Sequence, residues 1–363
     1  MTPTSTPPGS PATGPSTPKR QPAWQAIAVL LLTAGLLWLA FRDIDLVEAW
    51  RATLRADWLW ILAAIAVTIQ TYVLRAWRWQ VLLAPLGRPS FRNAFRTTVI
   101  GFAANLLLPA RAGEVLRPYL LSRAEPISAA SGFATVVVER LLDLVTVLLL
   151  FGVAMIFSGV DVGPVVARAG AVAAAGALGG LAVLSVLAGH PERLGQWADT
   201  LARHLPAGAA RVVGQLVRTL AEGLRVLRSP GHFALALVWS FPLWLSIALG
   251  IVLTSQAFGL HVPFVGSFLV VGYLTVGVMA PTPGAAGGFH GAYIIAMQQF
   301  FAAPRADVGA AAIVLHLVSF VPVTIIGLVF MWQDGLTLGR LRGLRSDAEA
   351  ADMPGAGGDR SVP

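Results

Sequence analysis

Cysteine is absent from the 363 residues, which excludes disulfides, thiolate catalysis and Cys-ligated metals and leaves the redox compartment undetermined. Charge is scarce: 12% of residues are Asp, Glu, Lys or Arg, against 56% hydrophobic. A soluble domain neither needs so much apolar surface nor covers itself with so little charge. Lys19 is the only lysine among 26 basic residues, a bias read first as codon usage and only weakly as phosphate recognition. Also missing are a Gly-x-Ser-x-Gly elbow, a His-Glu-x-x-His zinc motif and a Gly-Lys-Ser/Thr phosphate loop. Catalysis, a metal and a cofactor are therefore not expected. A net charge of +8 and a pI near 11.0 come without a basic recognition helix or an aromatic-studded RNA surface, so nucleic acid is not an expected partner.

Long charge-free runs stand where the charges are missing: Trp24 to Phe41, Trp58 to Leu74, Leu144 to Val160, Ala169 to Gly189, and Ser229 to Pro304. About 20 apolar residues cross a bilayer as a helix, so the chain reads as an all-α polytopic membrane protein. Residues 1–22, rich in Pro, Ser, Thr and Gly, read as a disordered tail. Residues 23–335 form the membrane domain, with a cytoplasmic amphipathic loop over 190–230, and 336–363 form a second disordered tail.

Positive-inside arithmetic orders the spans. Lys19 and Arg20 put the N-terminus in the cytoplasm, and residues 42–57 read as an extracytoplasmic connection. Arg75, Arg78, Arg88, Arg92 and Arg96 read as a cytoplasmic belt after the second span, which ends near Trp79. Thr97 to Ala110 is apolar but short, and the next stretch is too polar to cross. Phe95 to about Arg123 therefore reads as a re-entrant hairpin, tolerated at depth only against protein or a wet cavity. Pro263 to Pro304 reads as a second interrupted hairpin of opposite orientation. About six full spans plus two hairpins result, with both termini cytoplasmic and the plasma membrane as location. The tips carry Pro109 with Gly113, and Pro281, Pro283, Gly284, Gly287 and His290; Gly176 and Gly180 suggest a close-packing face on one span. An inverted repeat with broken helices at its centre is the layout these marks fit.

Six charges do not belong to loops or ends: Arg111, Glu114, Arg117, Glu139, Arg140 and Asp143. Each costs roughly 2.5–3.5 kcal/mol at the bilayer centre on insertion scales. They must face one another or a polar cavity, and as a set they are formally neutral. A structural ion-pair network is one reading. The other is a binding site in which these residues, with Asn105, hold an anionic headgroup. His290 reads as packing, because no spacing partner argues for metal.

The run Asn105-Leu-Leu-Leu-Pro109-Ala-Arg111-Ala-Gly113-Glu114-Val-Leu-Arg117, then Val138-Glu139-Arg140-Leu-Leu-Asp143, then Pro281-Thr-Pro283-Gly284, resembles the membrane region of the lysylphosphatidylglycerol synthase family, the flippase-like integral membrane proteins. The resemblance covers about residues 24–335 and implies a flippase-like fold. In full-length synthases this region moves aminoacylated phospholipid between leaflets. The family's third motif commonly runs Pro-Gly-Gly-x-Gly and then a Glu. Here Ala285 takes the second Gly position and His290 the Glu position, so a proton or cation role carried by that Glu does not transfer. Only a short polar tail follows Trp332, and synthesis of lysylphosphatidylglycerol is not expected of this chain.

Translocation of a phospholipid or a lipid-linked anionic substrate follows as the expected function, with membrane lipid as the partner. A headgroup-modifying enzyme using Glu139 or Asp143 as base and a membrane scaffold are the alternatives. A homo-oligomer or a partner enzyme is left open.

Overall fold

The computed structural model describes residues 23–108, 111–160, 162–189, 229–280 and 282–336. The two tails and the 190–228 part of the amphipathic loop lie outside the described residues, as do Pro109 and Pro281 at the hairpin tips. The described residues are helical throughout, without a strand: α1 (Ala23–Phe41), α2 (Leu46–Arg55), α3 (Trp58–Leu83), α4 (Phe91–Leu107), α5 (Gly113–Ala124), α6 (Ala129–Phe157), α7 (Gly163–Gly189), α8 (Pro230–Ala257), α9 (Ser267–Gly277), α10 (Gly288–Phe301) and α11 (Arg305–Gln333), with a 3₁₀ turn at Pro283–Ala285. Of these, α3, α6, α8 and α11 are long and apolar enough to cross a membrane.

Local chemistry sets the helix starts. Asp45, Asp57, Ser90 and Ser128 each accept a hydrogen bond from a first-turn N–H and so cap α2, α3, α4 and α6. The 42–57 connection is therefore not plain loop. It holds α2, which buries Ala49 and Ala52 while Trp50 and Leu54 stay exposed, an amphipathic helix suited to the membrane surface. The second span also continues past Trp79 to Leu83, because Val81, Leu82 and Leu83 supply another apolar turn.

Hairpin arms of 17, 12, 11 and 14 residues are about 16–25 Å long, short of the roughly 30 Å hydrocarbon core. Each hairpin is closed by a glycine pair. A Cβ on Gly113 would collide with the Gly101 carbonyl, and a Cβ on Gly288 with the Gly277 carbonyl. The hairpins enter from opposite faces. On one face, the end of α3 packs Trp79 and Leu82 against Ala236 of α8, and Arg96 near the start of α4 pairs with Asp334 beyond α11. On the other, the Asp57 N–H donates to Ala257 O (2.9 Å), and Arg305 reaches Asp43 after α1 (3.9 Å).

Packing repeats with inverted sense. α3 lies along α8; α4 packs on α11 as α9 packs on α6; α5 packs on α6 as α10 packs on α11. This is the exchange expected of an inverted repeat. Helix α7 joins α6 where the Cβ position of Gly170 faces Phe151, whereas nothing lies within 4 Å of that position at Gly176. The close-packing face expected there is not used at Gly176.

Candidate functional site

Asp143 sits midway along α6 and Glu139 one turn before it, on the same face. Both are buried, and both are held by a residue of α3 that the loop-like reading of Arg75 and Arg78 misplaced. Arg78 is fully buried. It donates through Nη1 to Asp143 Oδ1 (2.6 Å) and to Ser240 Oγ of α8 (2.9 Å), and through Nη2 to Glu139 Oε1 (3.0 Å). Arg117 of α5, 3% exposed, donates to Glu139 Oε2 (2.9 Å). Its guanidinium lies 3.6 Å from the Trp79 ring centroid, a desolvated cation–π contact. Trp244 Nε1 of α8 donates to Asp143 Oδ1 (2.9 Å).

Arg140 approaches Asp143 Oδ2 (3.3 Å) and Glu139 Oε1 (3.6 Å), with its side chain 37% exposed. Arg75 lies 3.9 Å from Asp143 Oδ2 and over the Phe102 ring at 5.1 Å. Four arginines thus surround two carboxylates. The neutral six expected from the sequence are not the set that assembles. Arg111 is exposed at the first hairpin tip with φ +50°, 3.5 Å from Glu114. Its Nη2 donates to Val278 O at the end of α9 (2.8 Å). Arg111 and Glu114 therefore form a balanced pair beside the cluster, and Arg111 ties one hairpin tip to the other.

A narrow crevice, with a cavity volume of about 10 Å³, is lined by Gly101, Phe102, Asn105, Gly113, Glu114, Arg117, Val136 and Arg140. Arg117 Nε and Nη2, Arg140 Nε and Asn105 Oδ1 make no hydrogen bond within the protein. Of the residues expected to bind substrate, Asn105, Glu114, Arg117 and Arg140 line this cleft. Glu139 and Asp143 lie behind it as counter-charges, and Arg111 stands outside it.

The second hairpin carries no formal charge at its tip. Gly284 (φ +60°), Ala285 (φ +57°) and Gly287 (φ +83°) turn the chain there, and Pro283 is exposed. His290 is buried in hydrogen-bonded packing, the reading its sequence context favoured. Its ring stacks on His316 at 4.7 Å, and its Nδ1 accepts from the Gly287 N–H (3.3 Å). His316 Nε2 donates to Gly284 O (2.8 Å).

Arg75 and Arg78 are the functional candidates that sequence reasoning missed. Their signal is the apolar turn Val81–Leu83 that follows them, which carries the helix, and both guanidiniums, inward of its end. Ser240 and Trp244, four apart on α8, had no such signal.

Residues 25–327 match the family described as the lysylphosphatidylglycerol synthase TM region. A UPF0104 membrane protein of Methanothermobacter thermautotrophicus is 27% identical over 334 residues, covering 84% of this chain and 91% of that protein. The chain is also 35% identical over 132 residues to glycosyltransferase AglD of Haloferax volcanii, covering 36% of this chain and only 21% of AglD.

Proposed function

The chain belongs to the lysylphosphatidylglycerol synthase TM region family of multi-pass membrane proteins, and from that premise we propose that it moves an amphiphile with an anionic headgroup between leaflets. One observation carries the reading. Arginine donors without partners open onto a cleft between a re-entrant hairpin and α6, with their counter-charges locked behind them. Fork-shaped guanidiniums suit phosphate oxygens. The acyl tails stay in the bilayer, and the two hairpins, meeting tip to tip, alternate access. The tightness of the Gly101–Gly113 contact means the first hairpin parts from α6 to admit a whole headgroup.

Transport is favoured over headgroup chemistry because neither carboxylate is a free base. Glu139 accepts from Arg78 and Arg117, and Asp143 from Arg78 and Trp244. AglD matches over too small a share of its own length to lend this chain its printed activity. The location that fits is the plasma membrane, with the faces bearing residues 84–90 and both termini cytoplasmic.

The test is purified full-length protein in vesicles doped with tail-labelled phospholipids, scored by the fraction of label that an impermeant quencher reaches. Protein-dependent access to inner-leaflet label is expected, with Arg117→Gln slower by about ten-fold or more, the scale of one lost charge-assisted hydrogen bond. Absence of transfer for every headgroup tried would sink the reading.

A further inference from the structure

The charges around the cleft do not balance. Arg75, Arg78, Arg117 and Arg140 face Glu139 and Asp143, Glu114 of the cleft lining also attracts Arg140, and the half-exposed Arg111 pairs with Glu114 at 3.5 Å. Among the described residues the site thus carries two positive charges in excess, and guanidiniums stay protonated. Three of the four carboxylate oxygens already accept a hydrogen bond, and Asp143 Oδ2 does not. Glu139 Oε1 and Oε2 accept from Arg78 and Arg117, Asp143 Oδ1 accepts from Arg78 and Trp244, and Asp143 Oδ2 lies 3.3 Å from Arg140. Each of the four arginines leaves a buried nitrogen unbonded, Arg75 Nη1 and Arg78 Nε among them. Arg117, 97% buried by its 3% exposure, leaves Nε and Nη2 unbonded, and Arg140 leaves Nε unbonded. Both line the cleft, and Arg75 stacks on Phe102, a third lining residue. Unpaired charge in apolar surroundings is costly, so the bound headgroup is the natural counter-charge.

We propose that the cleft selects a phosphomonoester headgroup, with two negative charges and three terminal oxygens, over a singly charged phosphodiester or a zwitterion. The proposal rests on the translocase reading above and names its substrate class. A dianion neutralises both excess arginine charges and offers an oxygen to each unbonded donor of Arg117 and Arg140. A phosphodiester leaves one cation uncompensated, and a zwitterion brings an ammonium into a cationic site. Planar guanidiniums bind phosphate through paired donors, so geometry and charge select together.

Tail-labelled phosphatidic acid and tail-labelled phosphatidylmethanol differ by one methyl ester and one charge, and the full-length protein in phosphatidylcholine vesicles would be given each. Transfer of phosphatidic acid is expected to exceed that of phosphatidylmethanol by about ten-fold or more. Arg140→Gln should bring the ratio towards one and Arg140→Lys should keep it. Arg140 is the partly exposed member, and both carboxylates retain Arg78 without it. Equal transfer of the two lipids would overturn the phosphomonoester preference and leave the translocase standing. No transfer of any lipid would overturn the translocase itself. A water-soluble arm uses radiolabelled glycerol 3-phosphate and inorganic phosphate: exclusion of both supports a lipid-borne headgroup, whereas uptake of either without lipid transfer would overturn it.

Discussion

With both carboxylates in its grip, Arg78 is the side chain whose loss strands the most charge. Arg78→Ala is expected to destabilise the protein by about 3–5 kcal/mol, the cost of breaking a buried ion pair from one side, read as a drop in thermal midpoint in detergent. Arg111→Gly should stay within about 1 kcal/mol of the parent in the same assay. It removes an exposed pair worth little and relieves a left-handed φ. Ala285 also sits in the left-handed region, and Ala285→Gly should raise the midpoint by the equivalent of about 1 kcal/mol. Glu125 lies outside the spans, at the base of the first hairpin, and accepts from the Ser90 N–H and from Asn93 Nδ2 (2.8 Å each). Burial pushes its carboxyl up, but these hydrogen bonds outweigh that and hold it below the usual range. A depressed carboxylate stabilises above its ordinary pKa and loses that contribution as pH falls through the folded value. The thermal midpoint in detergent should therefore fall on the acid side, and Glu125→Gln should remove that part of the dependence.

The elements depend on backbone contact as much as on charge. Gly113→Ala and Gly288→Ala should each cost about 1–3 kcal/mol, because a methyl group there meets the facing glycine carbonyl. Gly152→Ala, in the interior of α6 with nothing within 4 Å, should instead stabilise by about 0.5–1 kcal/mol. Much at this scale was legible in advance. Charge-free runs located the spans, and the polar Arg111–Glu125 stretch forced a re-entrant hairpin. The glycine pairs were not legible, since Gly101 and Gly277 look like ordinary small residues in apolar helices until their partners stand opposite. The same holds for α2, whose short amphipathic period was hidden in a segment read only for its charge.

For the whole molecule, two half-membrane hairpins meet tip to tip, joined by Arg111 to Val278 O and by Leu106 against Gly284. The cysteine-free chain permits a direct check: single cysteines at Arg88 and Arg123 should label from one side of the membrane, and those at His261 and Arg305 from the other. Labelling of Arg88 and Arg123 from opposite sides would mean that the first hairpin crosses. Composition alone determined that the chain lives in a bilayer, because unbalanced apolar surface has no other stable home, and about six spans were expected from run lengths, of which α3, α6, α8 and α11 are long and apolar enough to cross among the described residues. Which charges belong together was decided only by tertiary structure. Arg78 meets Asp143 across 65 residues and Ser240 across 162, and whether an arginine faces headgroups or a buried carboxylate depends on how three helices rotate against one another. That rotation turned a formally neutral set of six into a site with two positive charges to spare.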